Sequence, residues 1–171
     1  IDEALKQMTY CVELESGIDE LRRSVRAARK LLEPHLACRN GSTAPTLYAF
    51  GHAHLDVAWI WPLQETERKV ARTFSNQLAN IEQYPEYRFL NSQPHLYRMV
   101  KQRYPDLYRR IKKAVKSGNI IAEGGMWVEA DTNISGGEAL IRQFVHGTRF
   151  FRDEFGVENE MLWLPDVFGY S

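Results

Sequence analysis

Residues 47–62 read LYAFGHAHLDVAWIWP. The apolar run Leu47–Phe50 has the length of a short buried strand, and His52, His54 and Asp56 follow it at alternate positions. Alternate side chains of an extended chain project to one face, so two imidazoles and a carboxylate are set out together where the strand should stop. These are the donor types that a zinc-like cation takes, and a catalytic site keeps one position open. His54 and Asp56 are read as the ligand pair. His52 shares their parity and is read as a supporting hydrogen-bond partner, a common role for a histidine beside a metal. The plainer alternative makes all three ordinary strand-end polar groups.

Outward from this stretch, short apolar runs alternate with helical patterns. Strands are predicted at Leu47–Phe50, Tyr87–Leu90, Asn119–Ala122 and Met161–Leu164. Between them lie a helix carrying Val70, Phe74, Leu78 and Ile81, and a second carrying Leu96, Val100, Leu107, Ile111 and Val115 that Pro105 kinks or restarts. A third runs from about Glu138 to Phe155, with capping-box spacing at Ser135 and Glu138. Parallel neighbours need a crossover, usually a helix, so the fold class is α/β, a parallel sheet with crossover helices. Upstream, the first fourteen residues suggest a short helix, and Ile18, Leu21, Val25, Ala28 and Leu32 an amphipathic one ending near Pro34. The run RNGSTAP (39–45) then marks a boundary. Residues 1–44 are thus expected to be a helical segment preceding the α/β part, 45–171.

In parallel sheets functional groups gather at the carboxyl ends of the strands. Those ends carry Asn91-Ser92-Gln93 after the second strand, Glu123 to Asp131 after the third and Pro165 to Tyr170 after the fourth. Of Glu129 and Asp131, Asp131 is the preferred site group. Asp166 reads equally as a turn residue after Pro165. Trp59 suits the apolar face of a sugar ring; Trp61 and Trp127 read equally as core. His35, His95 and His146 are expected to be structural or exposed.

Composition bounds the partners. Lys+Arg and Asp+Glu number 22 each among 171 residues, which gives no electrostatic reason to expect nucleic acid or an anionic membrane. Cys11 and Cys38 lack CxxC spacing and favour a reduced, cytoplasmic compartment. No apolar run reaches about 18 residues and no export leader is visible. The chain opens on Ile1 and stops at Ser171, just after an aromatic motif, and reads as a piece of a larger protein.

Three blocks, GHAHLDVAWIWP (51–62), EGGMWVEADTN (123–133) and WLPDVFGYS (163–171), resemble glycoside hydrolase family 38 α-mannosidases. The second block, with SGGEALIRQF (135–144), is similar to the cytosolic and fungal vacuolar branch. The resemblance implies an α/β barrel and a zinc ion, with cobalt as the alternative, held by His54, Asp56 and Asp166. It also makes Asp166 the catalytic nucleophile and places Trp59 and Phe168 around the mannose ring. The implied substrate is a mannose-containing oligosaccharide. The implied locations are the cytoplasm or a vacuole- or lysosome-like compartment, with homo-oligomerisation of the full-length protein a further expectation. The family's last zinc histidine and its acid/base aspartate would lie beyond Ser171, so the chain alone is expected to be inactive. Two competing readings are a metal-dependent hydrolase that activates water and a non-catalytic fragment.

Overall fold

Three short strands, β1 (Gly51–His52), β2 (Phe89–Asn91) and β3 (Ile120–Ala122), form one parallel sheet in the order β1-β2-β3 in the computed structural model. The structure describes residues 2–37 and 45–170. Cys38 and most of the RNGSTAP boundary therefore lie outside the described residues. Gly51 pairs with Phe89, and Phe89 in turn with Ile120.

The first strand sits later than predicted. Pairing starts where the Gly51 N–H donates to the Arg88 carbonyl at 2.8 Å, while Leu47 is 91% exposed. Gly51 suits this start because a Cβ there would lie 1.8 Å from the Tyr87 hydroxyl oxygen. The fourth predicted strand, Met161–Leu164, is reduced to a single bridge between Gly124 and Leu162. Gly124, at φ 148°, follows β3 in a backbone conformation that favours glycine. In place of a ladder, the buried Glu123 carboxyl accepts the backbone N–H groups of Glu160 (2.9 Å) and Met161 (3.2 Å).

Residues 1–47 and 48–171 form two units. In the first, α1 (Asp2–Cys11) packs on α2 (Ile18–Leu36) through the buried small residues Ala4, Ser24 and Ala28. Ser24 Oγ also accepts the Glu13 N–H at 3.1 Å. As expected, α2 ends near Pro34, at Leu36, with the Ala37 N–H closing on the Glu33 carbonyl at 2.9 Å.

In the second unit, α3 (Leu63–Gln83) buries Thr66, Val70, Phe74 and Leu78, one stripe at four-residue steps. Pro105 separates α4 (Pro94–Arg103) from α5 (Pro105–Lys116), each helix starting on a proline that needs no intrahelical N–H partner there. The last helix, α6 (Gly137–Phe155), has Gly136 as its N-cap, and the predicted capping box does not form. Glu138 instead accepts from Arg142 at 2.8 Å. Ile141 and Phe144 remain exposed, so α6 packs through its second half, Gly147 and Phe151. Phe74, Phe89, Tyr97, Ile111, Ile120 and Phe151 are fully buried between sheet and helices.

Glu154 ties three helices together: it accepts from Lys101 of α4 and, at 2.8 Å, from Tyr108 of α5, with Lys112 at 3.7 Å. Burial alone would push the Glu154 carboxyl up, but the Lys101 and Tyr108 hydrogen bonds and the lysine charges outweigh it and hold it below the ordinary carboxylate value. Burial, with Glu154 beside it, pushes the Tyr108 hydroxyl well up. A depressed folded value means that Glu154 stabilises above its unfolded titration and loses that contribution as pH falls through the folded one. Glu154→Gln is therefore expected to flatten the acid limb of stability against pH. Urea unfolding from about pH 2 to pH 6 checks this.

Candidate active site

The carboxyl ends of the strands bring the polar groups together. From β1 comes His52, whose Nδ1 lies 3.0 Å from the Leu90 carbonyl and whose Nε2 lies 3.2 Å from the indole Nε1 of Trp163. An indole nitrogen only donates, so Nε2 of His52 accepts and Nδ1 carries the proton that goes to Leu90. His52 thus fastens the Trp163 segment to β2, with both ring nitrogens engaged.

His54, next on the same face, has Nδ1 2.6 Å from Glu129 Oε2. Its Nε2 faces Asp56 Oδ1 at 3.4 Å and Asp166 Oδ2 at 3.8 Å. The three residues singled out in the sequence therefore converge on one imidazole edge, although Asp166 is distant along the chain. The Asp166 side chain is 74% exposed, and that of Glu129 only 2%. Asp56 is anchored through its carbonyl, which accepts from Thr66 Oγ1 at 2.9 Å; the same hydroxyl accepts the Trp61 indole N–H at 3.0 Å.

The β2 end supplies support. Ser92 Oγ donates to Glu129 Oε1 at 2.6 Å. Gln93 accepts the Glu129 N–H at 3.2 Å and donates to the Leu55 carbonyl at 2.9 Å. The two acidic residues after β3 differ in their contacts. Asp131 accepts the Asn133 N–H at 2.7 Å and shapes its own turn, while Glu129 reaches His54. Nothing local in the sequence separates the two carboxylates. The Ser92 and Glu129 partnership, 37 residues apart, was likewise invisible to any short motif.

The segment bearing Asp166 docks on residues 130–133. Thr132 N–H donates to the Phe168 carbonyl at 3.4 Å, the Thr132 hydroxyl to the Gly169 carbonyl, and the Tyr170 hydroxyl to the Ala130 carbonyl. Gly169 has φ 89°, and a Cβ there would come within 2.6 Å of Thr132 Oγ1. Burial, then the charges of Asp131 and Glu129, raise the Tyr170 hydroxyl.

The aromatic candidates divide. Trp59 and Phe168 are exposed, and Trp59 meets Trp61 edge-on with centroids 5.5 Å apart. Trp127 packs between His95 and Phe150, at 5.5 and 5.7 Å, and so belongs to the α4–α6 packing. Trp163, which the sequence reading assigned only to a strand, packs on Phe50 and His52.

An imidazole nitrogen and two carboxylate oxygens are donors of the kind zinc accepts. Among the described residues, no three His, Cys, Asp or Glu side chains are disposed to close on an ion by themselves. The donor set is right in kind and partial in number. No helix among the described residues is long and apolar enough to cross a membrane.

Residues 44–171 match the family model of the glycosyl hydrolases family 38 N-terminal domain. The chain is 45% identical over 132 residues to alpha-mannosidase G of Dictyostelium discoideum, covering 77% of this chain and 12% of that protein. It is 44% identical over 144 residues to alpha-mannosidase 2C1 of Homo sapiens (84% and 14%) and 41% identical over 126 residues to an alpha-mannosidase of Saccharomyces cerevisiae (73% and 12%). It thus spans 12–14% of the length of these relatives. A solved structure of an alpha-mannosidase from Enterococcus faecalis shares the fold, with a TM-score of 0.58 at 24% identity over 64% of this chain and 12% of that one. With 44–171 matched and relatives above 40% identity over most of its length, the chain belongs to glycosyl hydrolase family 38.

Proposed function

We propose that this chain carries the nucleophile side of a retaining α-mannosidase that releases terminal α-D-mannose from oligosaccharides, the remainder of the site coming from further sequence. The observation that carries the reading is the meeting of Asp56 Oδ1 and Asp166 Oδ2 at Nε2 of His54, at 3.4 and 3.8 Å. Zinc, or cobalt in its place, would be held by His54, Asp56 and Asp166 only together with a ligand from further sequence, and would supply an electrophilic anchor for the sugar's 2- and 3-hydroxyls.

Asp166 is the most exposed member of the trio and so the one an incoming sugar reaches most readily. Its free oxygen attacks the anomeric carbon, the leaving oxygen departs with a proton from a second carboxyl group, and a mannosyl ester of Asp166 forms. Water then attacks the same carbon from the opposite face, giving a proton back to the second carboxylate and releasing Asp166, and two inversions give net retention. The exposed rings of Trp59 and Phe168 suit the C–H-rich face of the pyranose. A cytoplasmic location accompanies this reading, in keeping with the free thiol of Cys11.

Incubating the full-length protein with a 5-fluoro-mannosyl fluoride tests the step. The fluorine slows release of the ester, so mass is expected on the peptide holding Asp166. A protein that turns over α-mannosides yet leaves that peptide unlabelled rejects the assignment and favours direct attack by water.

A further inference from the structure

We infer that Glu129 is the positioning residue of this site, acting through His54 to present Nε2 to Asp56 and Asp166; the inference rests on the mannosidase reading above. A carboxylate only accepts, so with Glu129 Oε2 2.6 Å from Nδ1 the ring proton is held on Nδ1 and the lone pair is left on Nε2. That separation is in the range of charge-assisted hydrogen bonds, which also fix ring orientation.

The carboxyl group is itself held firmly. Its side chain is 2% exposed, and burying a carboxyl is costly unless its oxygens are partnered. Oε1 takes the Ser92 hydroxyl at 2.6 Å while Oε2 takes His54. Gln93 closes the circuit: it accepts the Glu129 N–H at 3.2 Å and donates at 2.9 Å to the carbonyl of Leu55, the residue next to His54. The ends of β1, β2 and β3 are thereby linked through one buried carboxyl group, whose aim is set from two sides. Losing the polar partner on the far nitrogen of a ligating histidine typically costs about 10- to 100-fold in metal affinity or activity.

The test uses the full-length protein and its Glu129→Leu and Glu129→Gln variants. Zinc affinity is measured by competition with a chelator, kcat and KM on an aryl α-mannoside at saturating zinc, and thermal unfolding of each metal-free form. Leucine removes the acceptor, and zinc affinity is expected to fall about 10- to 100-fold with a lower kcat. Glutamine keeps an oxygen that can face Nδ1 with its amide group toward Ser92, and is expected to lose about tenfold or less.

A purely structural role would lower the unfolding temperature and leave the zinc affinity of the folded protein unchanged. Unchanged affinity in Glu129→Leu, or glutamine as damaging as leucine, overturns the proposal. The Asp166 label and zinc binding of the unaltered protein would then leave the mannosidase reading standing. An unaltered protein that binds no stoichiometric zinc overturns both together. If the leucine variant fails to fold, glutamine is measured against the unaltered protein. A measurable loss of zinc affinity up to about tenfold then supports the proposal, and unchanged affinity or a larger loss overturns it.

Discussion

Asp166→Ala in the full-length protein is expected to lower kcat on an aryl α-mannoside by about 10⁴-fold or more, the scale seen when a covalent nucleophile is removed. Two effects could produce such a loss, and they separate on exposure. The Asp166 side chain is 74% exposed, so its removal leaves no cavity and no buried unpaired group, and substitutions of that kind change stability by about 0.5 kcal/mol or less. The loss should therefore appear in turnover with little change in the unfolding temperature of the metal-free protein. Added azide, small enough to occupy the vacated space, is expected to restore partial turnover and give a mannosyl azide of inverted configuration. A variant within tenfold of the unaltered kcat would remove Asp166 from the chemistry.

Gly147→Ala should give the largest stability change, for a backbone reason. A Cβ at this position of α6 would lie 2.2 Å from the Gly125 carbonyl oxygen, 2.8 Å from Met126 C and 2.9 Å from Trp127 N. All three are main-chain atoms, so no rotamer change relieves the overlap. Alanine gains about 1 kcal/mol of helix propensity over glycine, whereas forcing α6 off the 125–127 turn should cost about 3 kcal/mol. The clash wins, and a net loss of about 2 kcal/mol is expected in urea unfolding. Because Glu129 follows that turn closely, its alignment on His54 should suffer as well. An alanine variant as stable as the parent would show that the helix and turn yield freely.

Much of this architecture is legible from local pattern. The stripe Val70, Phe74 and Leu78 keeps one face buried along α3, and Pro105 cannot continue a ladder, so periodicity and breakers locate the helices. His54 and Asp56 stand out because two extended residues with one between them share a side. Strand limits are less legible: at two or three residues each, pairing is set by partners such as Arg88 rather than by the strand's own hydrophobicity. Met161–Leu164 has the apolar run of a strand, but the competitor for its N–H groups is the side chain of Glu123, 38 residues from Met161. Glu129 ranked behind Asp131 in the sequence for the same reason, its partner His54 being 75 positions away.

The way Glu123, His52 and Thr132 hold the segment bearing Asp166 has a consequence for inheritance. Adjacent strands joined through main-chain amides tolerate almost any side chain, whereas this attachment is written largely in residue identities. Single-codon changes at Glu123 or Trp163 would thus loosen the platform of Asp166 and spare the sheet, so a displaced Asp166 and a lost fold can arise by separate genetic routes.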